Sequence, residues 1–139
     1  EYTGGDRRVI AEYKGWRILL QVCYDLRFPV WSRNRDDYDM ILYVASWPTP
    51  RVEAWNALLK ARAIENVCYV AGVNRVGDDP NCNYCGGTVL LDFLGKPLAD
   101  AGTGGQPATL SAEADKISLT TFREKFPALQ DADPFTLNI

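Results

Sequence analysis

The 139-residue chain contains no histidine. That absence excludes the schemes in which imidazole activates a serine or cysteine, and it removes the commonest metal ligand. Cysteine is sparse, at positions 23, 68, 82 and 85. Cys82 and Cys85 form a single C-x-x-C. A structural zinc site needs a second ligand pair, and a thioredoxin-like pair opens a helix rather than sitting in a Gly/Asn/Pro-rich loop. Both therefore read as loop residues, with neither metal nor cofactor expected. Cys68, inside "VCYVAGV", reads as a small core residue. No apolar run reaches the ~20 residues of a membrane span, and no signal peptide opens the chain. Basic residues are scattered and the net charge is −3, which speaks against nucleic acid. A cytoplasmic, reducing setting is the expectation.

What is present suits one globular domain: 47% hydrophobic and 24% charged residues, without repeats or low-complexity stretches. Residues 8–13 and 16–22 read as two strands joined at Lys14-Gly15. A short helix over 28–35 follows, with Pro29 in its first turn. Residues 39–45 suit a strand covered on both faces. The spacing of Trp55, Leu58, Leu59 and Arg62 predicts a helix over 51–66, with Glu65 on the face of Leu58 and within reach of Arg62. A strand over 67–73 leads into a fourteen-residue loop, "NRVGDDPNCNYCGG", long enough to rim a site. Strands at 87–92, 97–101 and 108–113, a helix at 115–126 and an extended polar tail complete the order. This is an α/β layered pattern with parallel and antiparallel pairing mixed.

In such sheets, sites gather where a strand ends and a helix begins. Cys23 in "LLQVCYDLRFP" stands at such a point. A nucleophile there would be fixed by the strand, and backbone N–H groups of the next turn would face a developing oxyanion. A buried thiol closing a strand fits the same position. Asp25 and Arg27 suit either reading, as a pair bracing the turn. Activation is the difficulty, because a simple thiol ionises near pH ~8.5. Without histidine, a carboxylate base and a lysine must serve. Lys14, Lys60, Lys96, Lys116 and Lys125 all fall on turns or helices away from Cys23. Either Cys23 is not catalytic or its partners lie outside the chain.

"VCYDLRFPVWSRN" resembles the nucleophile motif of the nitrilase superfamily of carbon–nitrogen hydrolases. "YDMILYVASWP", "WNALLKARAIENVCYVAGVNRVG" and "GGTVLLDFLGKPLADAG" follow in that family's order, and "REKFPALQDAD" resembles the tail of its omega-amidase-like branch. The resemblance implies an α/β fold, part of a four-layer α-β-β-α sandwich with mixed sheets, and a Glu-Lys-Cys triad. Cys23 then becomes the nucleophile and the Tyr24 backbone N–H an oxyanion donor. Trp47 lines the substrate pocket, and Asp25, Arg27, Glu65 and Asn74 are structural supports. The family's glutamate and lysine motifs have no match here, and Glu1 does not replace that glutamate. Residues 1–139 then form the C-terminal portion of one domain, in keeping with a start that lacks Met. The expected partners are the N-terminal portion of that domain, a small amide substrate, and a second copy meeting residues 28–35 and 51–66. Monoamides of dicarboxylic acids such as 2-oxoglutaramate are the implied substrates. A different superfamily amidase, carbamoylase or nitrilase, or a non-catalytic fragment or assembly module, remain the alternatives.

Overall fold

The computed structural model of the chain describes residues 3–136, so Glu1, Tyr2 and the last three residues of the tail lie outside it. Strands β1 (Val9–Tyr13) and β2 (Trp16–Val22) pair antiparallel across Lys14-Gly15. Both turn residues take positive φ, 47° and 77°, which matches the twist of a tight hairpin. A 3-10 turn (Cys23–Arg27) and a single turn of helix, α1 (Pro29–Ser32), lead to β3 (Met40–Ala45). A second 3-10 turn (Thr49–Arg51) enters helix α2 (Val52–Glu65), which returns the chain to β4 (Tyr69–Asn74). Strands β2, β3 and β4 are parallel, as crossover connections require. Beyond them lie β5 (Val76–Asp78), β6 (Asn83–Cys85), β7 (Val89–Leu91), β8 (Pro97–Asp100) and helix α3 (Lys116–Lys125). The main sheet runs β1-β2-β3-β4-β7-β8 with β7 and β8 antiparallel, and β5 and β6 form a small sheet of their own.

Strand alternation decides where the core sits. Leu19, Ile41, Tyr43 and Val70 point to one face and are buried against Trp55, Leu59 and Ala63 of α2. Gly72 faces the same helix, and a Cβ there would stand 2.5 Å from Leu59 Cδ1 and 2.9 Å from Trp55. Its missing side chain is what lets α2 come so close. The helix ends in a Schellman arrangement, with Val67 N–H donating to the Ile64 carbonyl and Cys68 N–H to that of Ala63. Val67 itself stands at φ 44°, an unusual conformation for a β-branched residue.

The opposite face is apolar and open. Leu20, Val22, Val44 and Val73 are 41%, 61%, 47% and 46% exposed. Helix α3 covers only the end marked by Trp16, Met40 and Tyr69. The expectation that β3 is covered on both faces therefore holds for one face within this chain.

Asp39, just ahead of β3, is buried amid cations. Arg17 Nη2 lies 2.7 Å from it, Lys116 Nζ 3.1 Å and Arg123 Nη1 3.2 Å, which ties β2 and α3 to the start of β3. Burial disfavours the carboxylate's charge, but hydrogen bonds from the side chain and backbone of Arg17 and from Lys116 outweigh it. The net result is a pKa lowered to about 2.

Four expectations need correction. The helix over 28–35 shrinks to Pro29–Ser32, because the chain spends Cys23–Arg27 in a 3-10 turn first. The fourteen-residue loop carries the β5–β6 hairpin, tightened by Asp79 accepting from the backbone of Asn81 and Cys82. Residues 108–113 form no strand. The described part of the tail is not simply extended: Ala128 and Leu129 fold back against the Val67–Tyr69–Leu119 cluster through a turn at Pro127–Gln130.

Candidate active site

The buried part of β2 fixes where Cys23 emerges. At Cys23 the backbone turns into the left-handed region, φ 43°, which strains any residue bearing a Cβ by about 1 kcal/mol. Two contacts enforce the turn. Asp25 Oδ2 accepts the Val22 N–H at 2.8 Å, and Arg62 Nη2 donates to the Leu26 carbonyl at 2.6 Å from α2. The other arm of Arg62 meets Glu65 Oε1 at 2.8 Å. The pair forms as the spacing suggests, with Glu65 its half-exposed member and Arg62 the buried one. Arg27 does not pair with Asp25. Its guanidinium stacks 4.9 Å over the Trp47 ring.

The wall opposite Cys23 comes from the segment after β3. Cys23 Sγ lies 4.0 Å from the Ser46 carbonyl oxygen, a weak contact. Trp47 is held by Asn74 on β4: Trp47 N–H donates to Asn74 Oδ1 at 2.7 Å, and Asn74 Nδ2 donates to the carbonyls of Trp47 at 3.1 Å and Gly86 at 2.6 Å. The indole Nε1 donates to the Arg51 carbonyl at 2.7 Å, and the ring lies 5.6 Å from that of Trp55. Asn74 thus closes one polar ring between two loops. Asn74→Ala leaves the Trp47 N–H and the Gly86 carbonyl without partners and should cost about 2 kcal/mol, read as a lower denaturation midpoint. An unchanged midpoint would show that the ring holds nothing.

Between these walls opens a cleft of about 620 Å³. Cys23, Tyr24, Arg27 and Trp47 line it together, with Asp25 and Asn74 behind them and Glu65 more remote, acting through Arg62. Tyr24 is the second residue of the 3-10 turn, and its N–H finds no acceptor among the described residues. The sequence reading missed five lining residues, Ser46, Pro48, Arg51, Cys82 and Tyr84. Cys82 was placed in a loop, yet the β5–β6 hairpin carries it to the rim. Arg51 left one trace: a cation where a helix begins opposes the helix dipole, and the Ncap position favours Ser, Thr, Asp or Asn. The Tyr84 hydroxyl donates to Asp79 Oδ2 at 2.8 Å, and that hydrogen bond, with burial second, pushes the phenol up to about 12. It stays protonated at neutral pH. No Asp, Glu or Lys lines the cleft among the described residues, and no acidic, Cys or His cluster suits a metal.

A thiol on a strained strand-to-helix turn, with a free backbone donor next to it, is arranged for attack on an electrophilic carbon. Comparison with known proteins identifies the family of the chain. Residues 2–124 match the carbon-nitrogen hydrolase family. Omega-amidase YafV of Yersinia enterocolitica is 57% identical over 98% of this chain and 53% of its own length. The 2-oxoglutaramate amidase of Bacillus subtilis is 37% identical over 93% of this chain and 50% of its own. The chain spans about half the length of these curated relatives. The crystal structure of XC1258 from Xanthomonas campestris, a CN-hydrolase superfamily protein with an arsenic adduct in its active site, superposes with a TM-score of 0.89. It is 47% identical, over 99% of this chain and 54% of that one. The chain belongs to the carbon-nitrogen hydrolase family of the nitrilase superfamily.

Proposed function

We propose that this chain is the thiol-bearing, C-terminal portion of an omega-amidase-like domain that hydrolyses small dicarboxylic acid monoamides such as 2-oxoglutaramate. The observation that carries this reading is the Cys23 turn at the head of an arginine-lined cleft. Cys23 Sγ attacks the amide carbon, the Tyr24 N–H steadies the oxyanion, and the C–N bond breaks with a proton passing to nitrogen, so that ammonia leaves. Water then cleaves the thioester to the second carboxylic acid and the free thiol. The glutamate that moves these protons and the lysine beside the oxyanion come from the preceding portion of the domain. That portion also supplies the second sheet of the four-layer sandwich, packed on Leu20, Val22, Val44 and Val73. Similarity to the omega-amidase and the 2-oxoglutaramate amidase supports the choice of amide substrate.

In the complete protein, ammonia release from 2-oxoglutaramate should exceed that from pentanamide, a carbamoyl amino acid or a nitrile by at least about tenfold in kcat/KM. Preference for the nitrile would replace this reading. The 139-residue chain alone should show no turnover, and measurable hydrolysis by it would remove the need for an upstream base. We further propose self-association through residues 28–35 and 51–66, where Phe28, Val30, Trp31 and Ile64 remain exposed. A monomer in sedimentation of the complete protein would rule that out.

A further inference from the structure

We infer that Arg51 binds the distal carboxylate of the substrate and so sets the preference for acidic amides. The inference rests on the amidase reading above and assigns it a residue. The cleft beside Cys23 carries two guanidinium groups, Arg27 and Arg51, and no carboxylate among its described lining residues, in a chain whose net charge is −3. A concentration of positive charge against the overall sign, at the one described cleft that holds the thiol, favours an anionic ligand.

The two arginines are not equivalent. Arg27 is committed to the face of Trp47. Arg51 has no ion pair, stacking partner or side-chain hydrogen bond among the described residues. Its backbone, by contrast, is fixed on both sides. Its N–H donates to the Pro48 carbonyl at 3.0 Å, and its carbonyl accepts the Trp47 indole at 2.7 Å. Thr49, in the same turn, donates to the Asn83 carbonyl at 2.9 Å. The fixed backbone sets where the exposed side chain starts, and its uncommitted guanidinium is left to reach an anion in the cleft. The position is also poor for stability, since a cation at the start of α2 opposes the helix dipole and Arg51 gives the helix no side-chain cap. With a bound carboxylate the same location turns favourable: held by two parallel N–H···O bonds from the guanidinium, its negative charge offsets both that cation and the positive end of the helix.

The test is Arg51→Met in the complete protein, assayed by ammonia release from 2-oxoglutaramate and from pentanamide, its neutral analogue of equal length. Loss of the pairing should lower kcat/KM for 2-oxoglutaramate about 100-fold, chiefly through KM, and leave pentanamide within about threefold. Arg51→Lys should recover part of the loss, and inhibition by glutarate should weaken in parallel. An equal fall on both substrates would make Arg51 a packing residue, and no fall on either would remove it from recognition. Either result overturns the assignment while the wild-type preference still stands. A wild-type enzyme that prefers pentanamide would instead defeat the choice of acidic monoamides as substrates, and the carboxylate contact with it.

Discussion

Cys23→Ala in the complete protein should abolish amide hydrolysis, with kcat falling by about 10⁴-fold or more. The fold should survive, because the side chain is only partly buried, at the edge of the core, and makes one weak polar contact, with the Ser46 carbonyl. Alanine removes the atom that forms the thioester and leaves the cleft walls in place. Cys23→Ser should be nearly as inactive, since a hydroxyl needs a stronger base than the thiol does and the chain has no histidine to supply one. The backbone gives a second, independent readout. At φ 43° a Cβ is strained, so Cys23→Gly should be more stable than Cys23→Ala by about 1 kcal/mol while equally inactive. That pairing separates a strained turn kept for chemistry from a cysteine that simply ends a strand. Peptide mass spectrometry on enzyme quenched during turnover should find the acyl group on Cys23. Acylation of Cys82, the other thiol at the cleft, would sink the assignment.

The sequence made one face of the sheet readable and said less about what crosses it. Leu19, Ile41 and Val70 lie on strands announced by continuous apolar runs, and α2 was visible in the spacing of Trp55 and Leu59. The strand-end position of Cys23 was legible for the same reason. Helical spacing puts Arg62 and Glu65 near each other, but it cannot say which charge goes inside. That is settled by the Leu26 carbonyl, a backbone acceptor 36 residues away. Periodicity likewise misses β5 and β6, three residues each in a Gly- and Asn-rich stretch, whose turn is tightened by backbone N–H groups donating to the Asp79 carboxylate. Without that hairpin, neither Cys82 nor Tyr84 could be placed at the rim. The arginine-lined cleft was illegible because Arg27 and Arg51 meet around Trp47 only after β2 and β3 lie side by side.

Asp39 shows the same limit most sharply, and its replacement carries the largest stability effect expected in this chain. Its partners Arg17 and Arg123 stand 22 and 84 residues away, so no local pattern announces the cluster. Asp39→Ala should destabilise the protein by about 3 kcal/mol, because it leaves the guanidinium groups of Arg17 and Arg123 with only the exposed Asp36 as counter-charge. The lower end of the range for buried pairs applies, since Arg17 and Lys116 keep contact with water. Asp39→Asn should cost nearly as much, which distinguishes lost charge from lost shape. The pH dependence gives the sign. The folded carboxyl titrates at about 2, below the unfolded value of 3.8. Its contribution is therefore complete above about pH 4 and is lost as the pH falls through about 2, a change of about 2 kcal/mol. Urea midpoints of the wild type should drop across that window, and those of Asp39→Asn should drop less. Parallel curves would mean that the cluster is neutral to stability. Activity per folded molecule should not follow the loss, because Asp39 anchors the start of β3 while Ser46 and Trp47, which build the cleft, lie beyond its other end.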